Sequence, residues 1–227
     1  MDQFSRYAVY YVPQAGPFAD AMAAWLGWDA AQGAGVAQPD LTGLPRPAAA
    51  LTTNPRAYGF HGTIRAPFRP AVPEAALIAA LDDLAARLAP VRCAGLEIRD
   101  LHGFLALIPT GCDAALSALA RGVVRGTDPL RAALTPDDIA RRRPETLTPR
   151  QRALLDRWGY PFVMEEFRFH LTLTDRLPPA EARTVAAVLQ DHLAPVLPAP
   201  FVIADLCLMA EDAQGRFHLR HRATLSG

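Results

Sequence analysis

Phe169-His170-Leu171-Thr172-Leu173 has an earlier echo in Phe60-His61-Gly62-Thr63-Ile64, and this pair of stretches decides how the chain is read. In an extended strand successive side chains point to opposite faces. His170 and Thr172 therefore share one face, and Phe169, Leu171 and Leu173 the other. The first copy obeys the same rule, with His61, Thr63 and Arg65 on one side and Phe60 and Ile64 on the other. Imidazole can accept or donate a proton near neutral pH, and a threonine hydroxyl can donate a hydrogen bond to an anionic oxygen. A single histidine in an apolar strand is usually structural. Two His-x-Thr triplets, each after Phe and before an aliphatic residue in a chain with 6 His, call for another explanation.

The repetition extends outward from these motifs. The first is followed by Pro73-Glu74-Ala75-Ala76 and Leu88-Ala89-Pro90-Val91, the second by Pro179-Ala180-Glu181-Ala182 and Leu193-Ala194-Pro195-Val196. The histidines lie 109 residues apart and the Leu-Ala-Pro-Val blocks 105 apart, so a small gap absorbs the difference. Alternating apolar runs follow at residues 95–101 and 201–209, then further strands at 103–109 and 215–224. Residues 7–12 read as a strand ending at Pro13, and residues 18–26 as an amphipathic helix closed by Gly27. That pair matches the strand at 104–108 and the helix at 113–124. Each half thus reads as strand, helix, connection, His-x-Thr strand, helix, strand. The expectation is an α+β fold in which residues 1–227 form a single bilobal domain. Its pseudo-symmetric halves cover about 1–102 and 103–227, with strand exchange between the lobes.

Composition narrows the function classes. The chain has 227 residues, 51% hydrophobic and 20% charged, enough to bury a sizeable core. All 23 basic residues are Arg, and they balance 23 acidic ones. Neutrality argues against a broad, nonspecific nucleic-acid binder. Cys93, Cys112 and Cys207 are odd in number and widely spaced. They read as reduced thiols rather than as a disulfide scaffold or zinc site. With no signal pattern and no long apolar run, the reading is a cytoplasmic protein without membrane contact. Residues 29–57 read as a long loop with at most a short helix, and 128–161 as partly helical. The run Arg141-Arg142-Arg143-Pro144 reads more readily as a solvated helix end than as an anion-attracting rim.

Two His-x-Thr strands in a duplicated chain resemble the 2H phosphoesterase superfamily, which includes cyclic phosphodiesterases. Further stretches are Tyr58-Gly59-Phe60-His61, Ala66-Pro67-Phe68, Arg157-Trp158-Gly159-Tyr160-Pro161 and Glu165-Glu166-Phe167-Arg168-Phe169-His170. They are similar to its bacterial branch of phosphonate-metabolism proteins, DUF1045. The resemblance implies a bilobal, LigT-like fold with two antiparallel sheets flanking a central cleft and helices outside. By carry-over it implies His61 and His170 as the catalytic pair and Thr63 and Thr172 as phosphate binders.

Strand alternation adds Arg65 and Arg168 as phosphate-binding candidates. Tyr11 and Tyr58 are candidates to line the cleft and stack on a base, against a core or structural role for each. His170 is assigned as base and His61 as acid. Neither motif brings a second histidine or a carboxylate to the catalytic face, so no metal and no cofactor is expected. Without a metal, a strained sugar or nucleoside cyclic phosphate is a better target than an unactivated linear diester. The expected partner is thus a small phosphorylated sugar or nucleotide, with an RNA end as a further candidate and no obligate protein partner. The alternative from another class is a protein that binds a phosphorylated ligand or RNA end without turnover.

Overall fold

The computed structural model describes residues 4–227. In chain order the elements are β1 (Arg6–Tyr11), α1 (Pro17–Leu26), β2 (Trp28–Asp29), β3 (Ala34–Gly35), α2 (Ala48–Leu51), α3 (Pro55–Tyr58), β4 (Gly62–Phe68) and α4 (Glu74–Ala85). Then follow β5 (Val91–Cys93), β6 (Gly95–Asp100), β7 (Phe104–Thr110), α5 (Asp113–Thr127), α6 (Pro136–Ala140) and α7 (Pro149–Trp158). The chain closes with β8 (Leu171–Arg176), α8 (Pro179–Leu193), β9 (Phe201–Ile203), β10 (Asp205–Glu211) and β11 (Phe217–Thr224).

The fold is α+β and antiparallel. Strands run in the order β11-β10-β1-β4-β8-β7-β6. The four-stranded part and the three-stranded part touch at one residue pair, Gly62 with Leu171. These are the first residues of the two motif strands, so both histidines sit just before the seam. The seam is tight: a Cβ on Gly62 would lie 2.2 Å from Cζ of Phe169. The glycine of the first motif is there because the phenylalanine of the second lies against it.

β1 is buried on both faces, as a central strand should be. Tyr7, Val9 and Tyr11 enter the main core, while Ala8 and Tyr10 enter a smaller cluster with Trp28, Met209 and Phe217. Helices cover the main-core side: α4 packs on β10 and β11, α5 on β4, and α8 on β6 and β7. Their buried residues recur at helical spacing, Leu77, Leu81 and Leu84 in α4 and Val185, Leu189 and Leu193 in α8. Pro17 opens α1, and Gly27, at φ 79°, closes it in the left-handed conformation. The Trp25 indole of α1 donates to the Leu173 carbonyl of β8 at 2.8 Å.

Residues 29–57 hold the β2–β3 ribbon and two short helices, more order than a loop reading gives. In 128–161, α6 and α7 each start on a capping box, Thr135 with Asp138 and Thr148 with Gln151. The thiol reading is corrected: Cys93 and Cys112 form a disulfide, and Cys207 is free and buried. β5 ends beside the start of α5, which brings the two Cα atoms to 5.0 Å. No helix among the described residues is long and apolar enough to cross a membrane.

Candidate active site

A cleft of about 830 Å³ opens on the face opposite the main core, and His61, Thr63 and Thr172 line it. Neither threonine hydroxyl is engaged by another of the described residues, so both remain available to a ligand. The His61 ring stacks on Tyr10, centroids 4.0 Å apart and planes 20° from parallel, and lies 6.0 Å from the Tyr58 ring. His170 does not itself form the wall. Its ring lies 5.7 Å from that of Phe104, a wall residue, and its charge acts on His61.

The two imidazoles are held alike. Nδ1 of His61 is 2.9 Å from the Gly59 carbonyl, and Nδ1 of His170 is 2.9 Å from the Arg168 carbonyl. A carbonyl can only accept, so each Nδ1 carries the proton. In the neutral form of either ring, Nε2 is then the free basic nitrogen. Burial pushes the His61 imidazole down to about 4; the Gly59 contact opposes the shift and the His170 charge adds to it. His61 is therefore neutral at physiological pH. Burial also raises the phenols of Tyr10 and Tyr160, so both stay protonated hydrogen-bond donors.

Three candidates lie elsewhere. Arg65 does not share the cleft face with His61 and Thr63. β4 bulges at Ile64, because Tyr10 faces Thr63 while the next β1 residue, Val9, faces Arg65. The extra residue reverses the alternation, so Ala66 continues the cleft face and Arg65 turns into a side recess. Tyr11 belongs to the core, edge-on to Phe201 at 5.0 Å, because Tyr10 is the β1 tyrosine opposite Thr63. Arg168 is exposed and folds back onto the carbonyls of Glu165 and Phe167 at 2.8 and 2.7 Å. Tyr58, 38% exposed, does line the cleft.

Sequence reasoning missed Tyr10 and Phe104, and it set Arg142 aside as a solvated residue. Antiparallel register could have found Tyr10, since opposed residues share a face. Arg142 is half-buried at the cleft wall, 4.7 Å over the Tyr160 ring. Burial lowers its pKa, and no carboxylate among the described residues pairs with it. The other wall arginines are taken: Arg6 by Glu211, Arg46 by Glu181 at 2.7 Å and Arg176 by the His102 carbonyl at 2.9 Å. No group of three or more His, Cys, Asp or Glu converges among the described residues as a metal cage would.

A family model described as "Protein of unknown function (DUF1045)" matches residues 63–218, taking in the second motif whole and the first from its threonine. The chain belongs to the DUF1045 family. This DUF1045 chain is 37% identical over 222 residues to "Ribose 1,5-bisphosphate phosphokinase PhnN" of Janthinobacterium sp. (strain Marseille), covering 94% of the chain and 49% of that relative. It is 35% identical over 215 residues to the protein of the same name from Laribacter hongkongensis (strain HLHK9), covering 92% and 49%. The chain spans about half the length of these curated relatives. Among solved structures, E. coli LigT complexed with NADP+ aligns over 100% of both chains at a TM-score of 0.48 and 13% identity. A structure described as a phosphoesterase aligns over 99% of both at 0.45 and 14%.

Proposed function

We propose that this chain is a phosphoesterase of the two-histidine type that opens a cyclic phosphodiester on a sugar or nucleoside without a metal ion. The observation that carries this reading is the duplication of one device at the seam. Two imidazoles are fixed in the same tautomer by the same main-chain contact, beside two free threonine hydroxyls.

Displacement at phosphorus needs the entering and leaving oxygens roughly in line, and a histidine from each half supplies one group for each. Because burial keeps His61 neutral, His61 is the base and His170 the acid, the reverse of the sequence assignment. Nε2 of His61 takes a proton from water as the water oxygen bonds to phosphorus. The bond from phosphorus to one ring oxygen breaks, and protonated His170 gives that oxygen its proton. Thr63 and Thr172 donate to the nonbridging oxygens, where negative charge is concentrated. The products are a phosphomonoester and a free hydroxyl, and solvent resets both rings. The name of the curated relatives supports a phosphorylated ribose as the scaffold and, with the resemblance set out above, a role in phosphonate catabolism.

The test is a screen of sugar and nucleoside cyclic phosphates with the parent, His61→Asn and His170→Asn. Each substitution should leave the fold intact and remove about 100-fold or more in turnover, as expected for a general acid–base group. Near-parental turnover in either variant refutes the paired assignment. Tight ligand binding with no turnover by the parent transfers the case to the binding-protein alternative.

A further inference from the structure

Beside the cleft lies a recess of about 20 Å³, and Ala66, Pro67, Arg142 and Tyr160 border both spaces. Arg65 reaches this recess. It is 1% exposed, and its Nε, Nη1 and Nη2 have no hydrogen-bond partner. Its one carboxylate neighbour among the described residues is Asp128 at 3.7 Å, too far for a hydrogen bond. Arg131 at 3.3 Å and Arg157 at 2.8 Å also draw on Asp128, so one carboxylate faces three guanidiniums. Arg69, also on the wall, is taken by Asp138 at 3.0 Å, but Arg142 at the mouth has no carboxylate.

A buried guanidinium with unmet donors is costly, and native proteins pair such groups. The Phe68 ring, 5.4 Å from Cζ of Arg65, offers the cation a π face but no acceptor for its N–H groups. What fits unmet donors beside a recess that shares its wall with the cleft is an anionic oxygen that arrives with a ligand. We propose that Arg142 and Arg65 form a second anion subsite, which selects substrates carrying a phosphomonoester in addition to the cyclic ester at Thr63 and Thr172. The recess has room for about one water-sized group. One phosphoryl oxygen therefore enters toward Arg65 while the phosphorus stays at the mouth beside Arg142. The cleavage part of this inference rests on the proposed function; the binding part stands by itself.

The experiment is calorimetry on the full chain carrying both His61→Asn and His170→Asn, so that no probe is consumed. The probes are adenosine 2′,3′-cyclic phosphate and its 5′-phosphorylated form. The 5′-phosphorylated probe should bind about 10-fold tighter or more, as charge-assisted bonding to a guanidinium allows. Adding Arg142→Gln, or separately Arg65→Met, should remove most of that ratio. Arg65→Met should fold with unchanged or raised thermal stability, since it replaces an unsatisfied buried charge with an apolar chain of similar length. Equal affinities for the two probes, or a preference that survives both substitutions, overturns the subsite. If the parent opens neither ring but keeps the preference, the phosphoesterase reading falls and the subsite stands. Ring opening with no preference gives the reverse result.

Discussion

Acid should reach His61 much later than an ordinary histidine, and the delay should register in stability as well as in titration. Its value moves from 6.5 to about 4, chiefly through burial. Between those limits an unfolded chain binds a proton at this position that the folded chain refuses, so stability falls as pH falls. Above 6.5 both states are neutral and there is no loss; below about 4 both are protonated and the loss stops growing. The slope of about 1.36 kcal/mol per pH unit gives about 3 kcal/mol over the whole interval. The ring keeps solvent contact on its cleft side, which reduces the expected loss to about 1–2 kcal/mol. Urea unfolding of the parent and of His61→Asn at about pH 7 and about pH 4.5 isolates this contribution, because the variant lacks the titrating group. NMR titration of the His61 ring gives the midpoint directly, and the acid limb of kcat/KM should follow it. A His61 midpoint near 6.5 or higher, or the same pH slope in parent and variant, would refute the burial argument and with it the assignment of His61 as base.

Gly62→Ala should destabilise the fold by about 2 kcal/mol or more, since its new methyl meets the Phe169 ring at 2.2 Å in a packed seam. Thermal denaturation checks this, and Phe169→Leu in the same chain should restore part of the loss; an unaffected Gly62→Ala would show that the seam is looser than described. Exhaustive chelation should leave turnover of a cyclic phosphate unchanged, whereas loss restored by a divalent ion would reject the metal-free mechanism.

The sequence carried the motif pair and its alternation well because both strands begin at the seam, where period 2 is intact. Farther along β4 the period fails: the bulge at Ile64 depends on pairing with β1 and has no local signature, so Arg65 was assigned to the wrong face. β1 is apolar on both faces, which erases the contrast that would have separated Tyr10 from Tyr11. The Cys93–Cys112 bond joins a strand end to a helix start, an approach fixed by tertiary packing rather than by spacing. Arg142 sits in an irregular stretch between α6 and α7, where no periodicity tells which way a side chain points.

The single pairing of Gly62 with Leu171 works as the jaw setting of a calliper. Each histidine is the residue next to that contact, so the gap between the imidazoles is gauged there and not by the connections at 29–57 and 128–161. Those connections supply Arg46, Asn54, Arg142 and Tyr160 to the wall of the opening. Chain length and composition in the outer stretches can therefore drift, changing which molecule is admitted, while the tool that would cut it keeps its measure. A slip of one residue in either motif strand would instead turn that strand over and carry its imidazole to the opposite face, away from its counterpart.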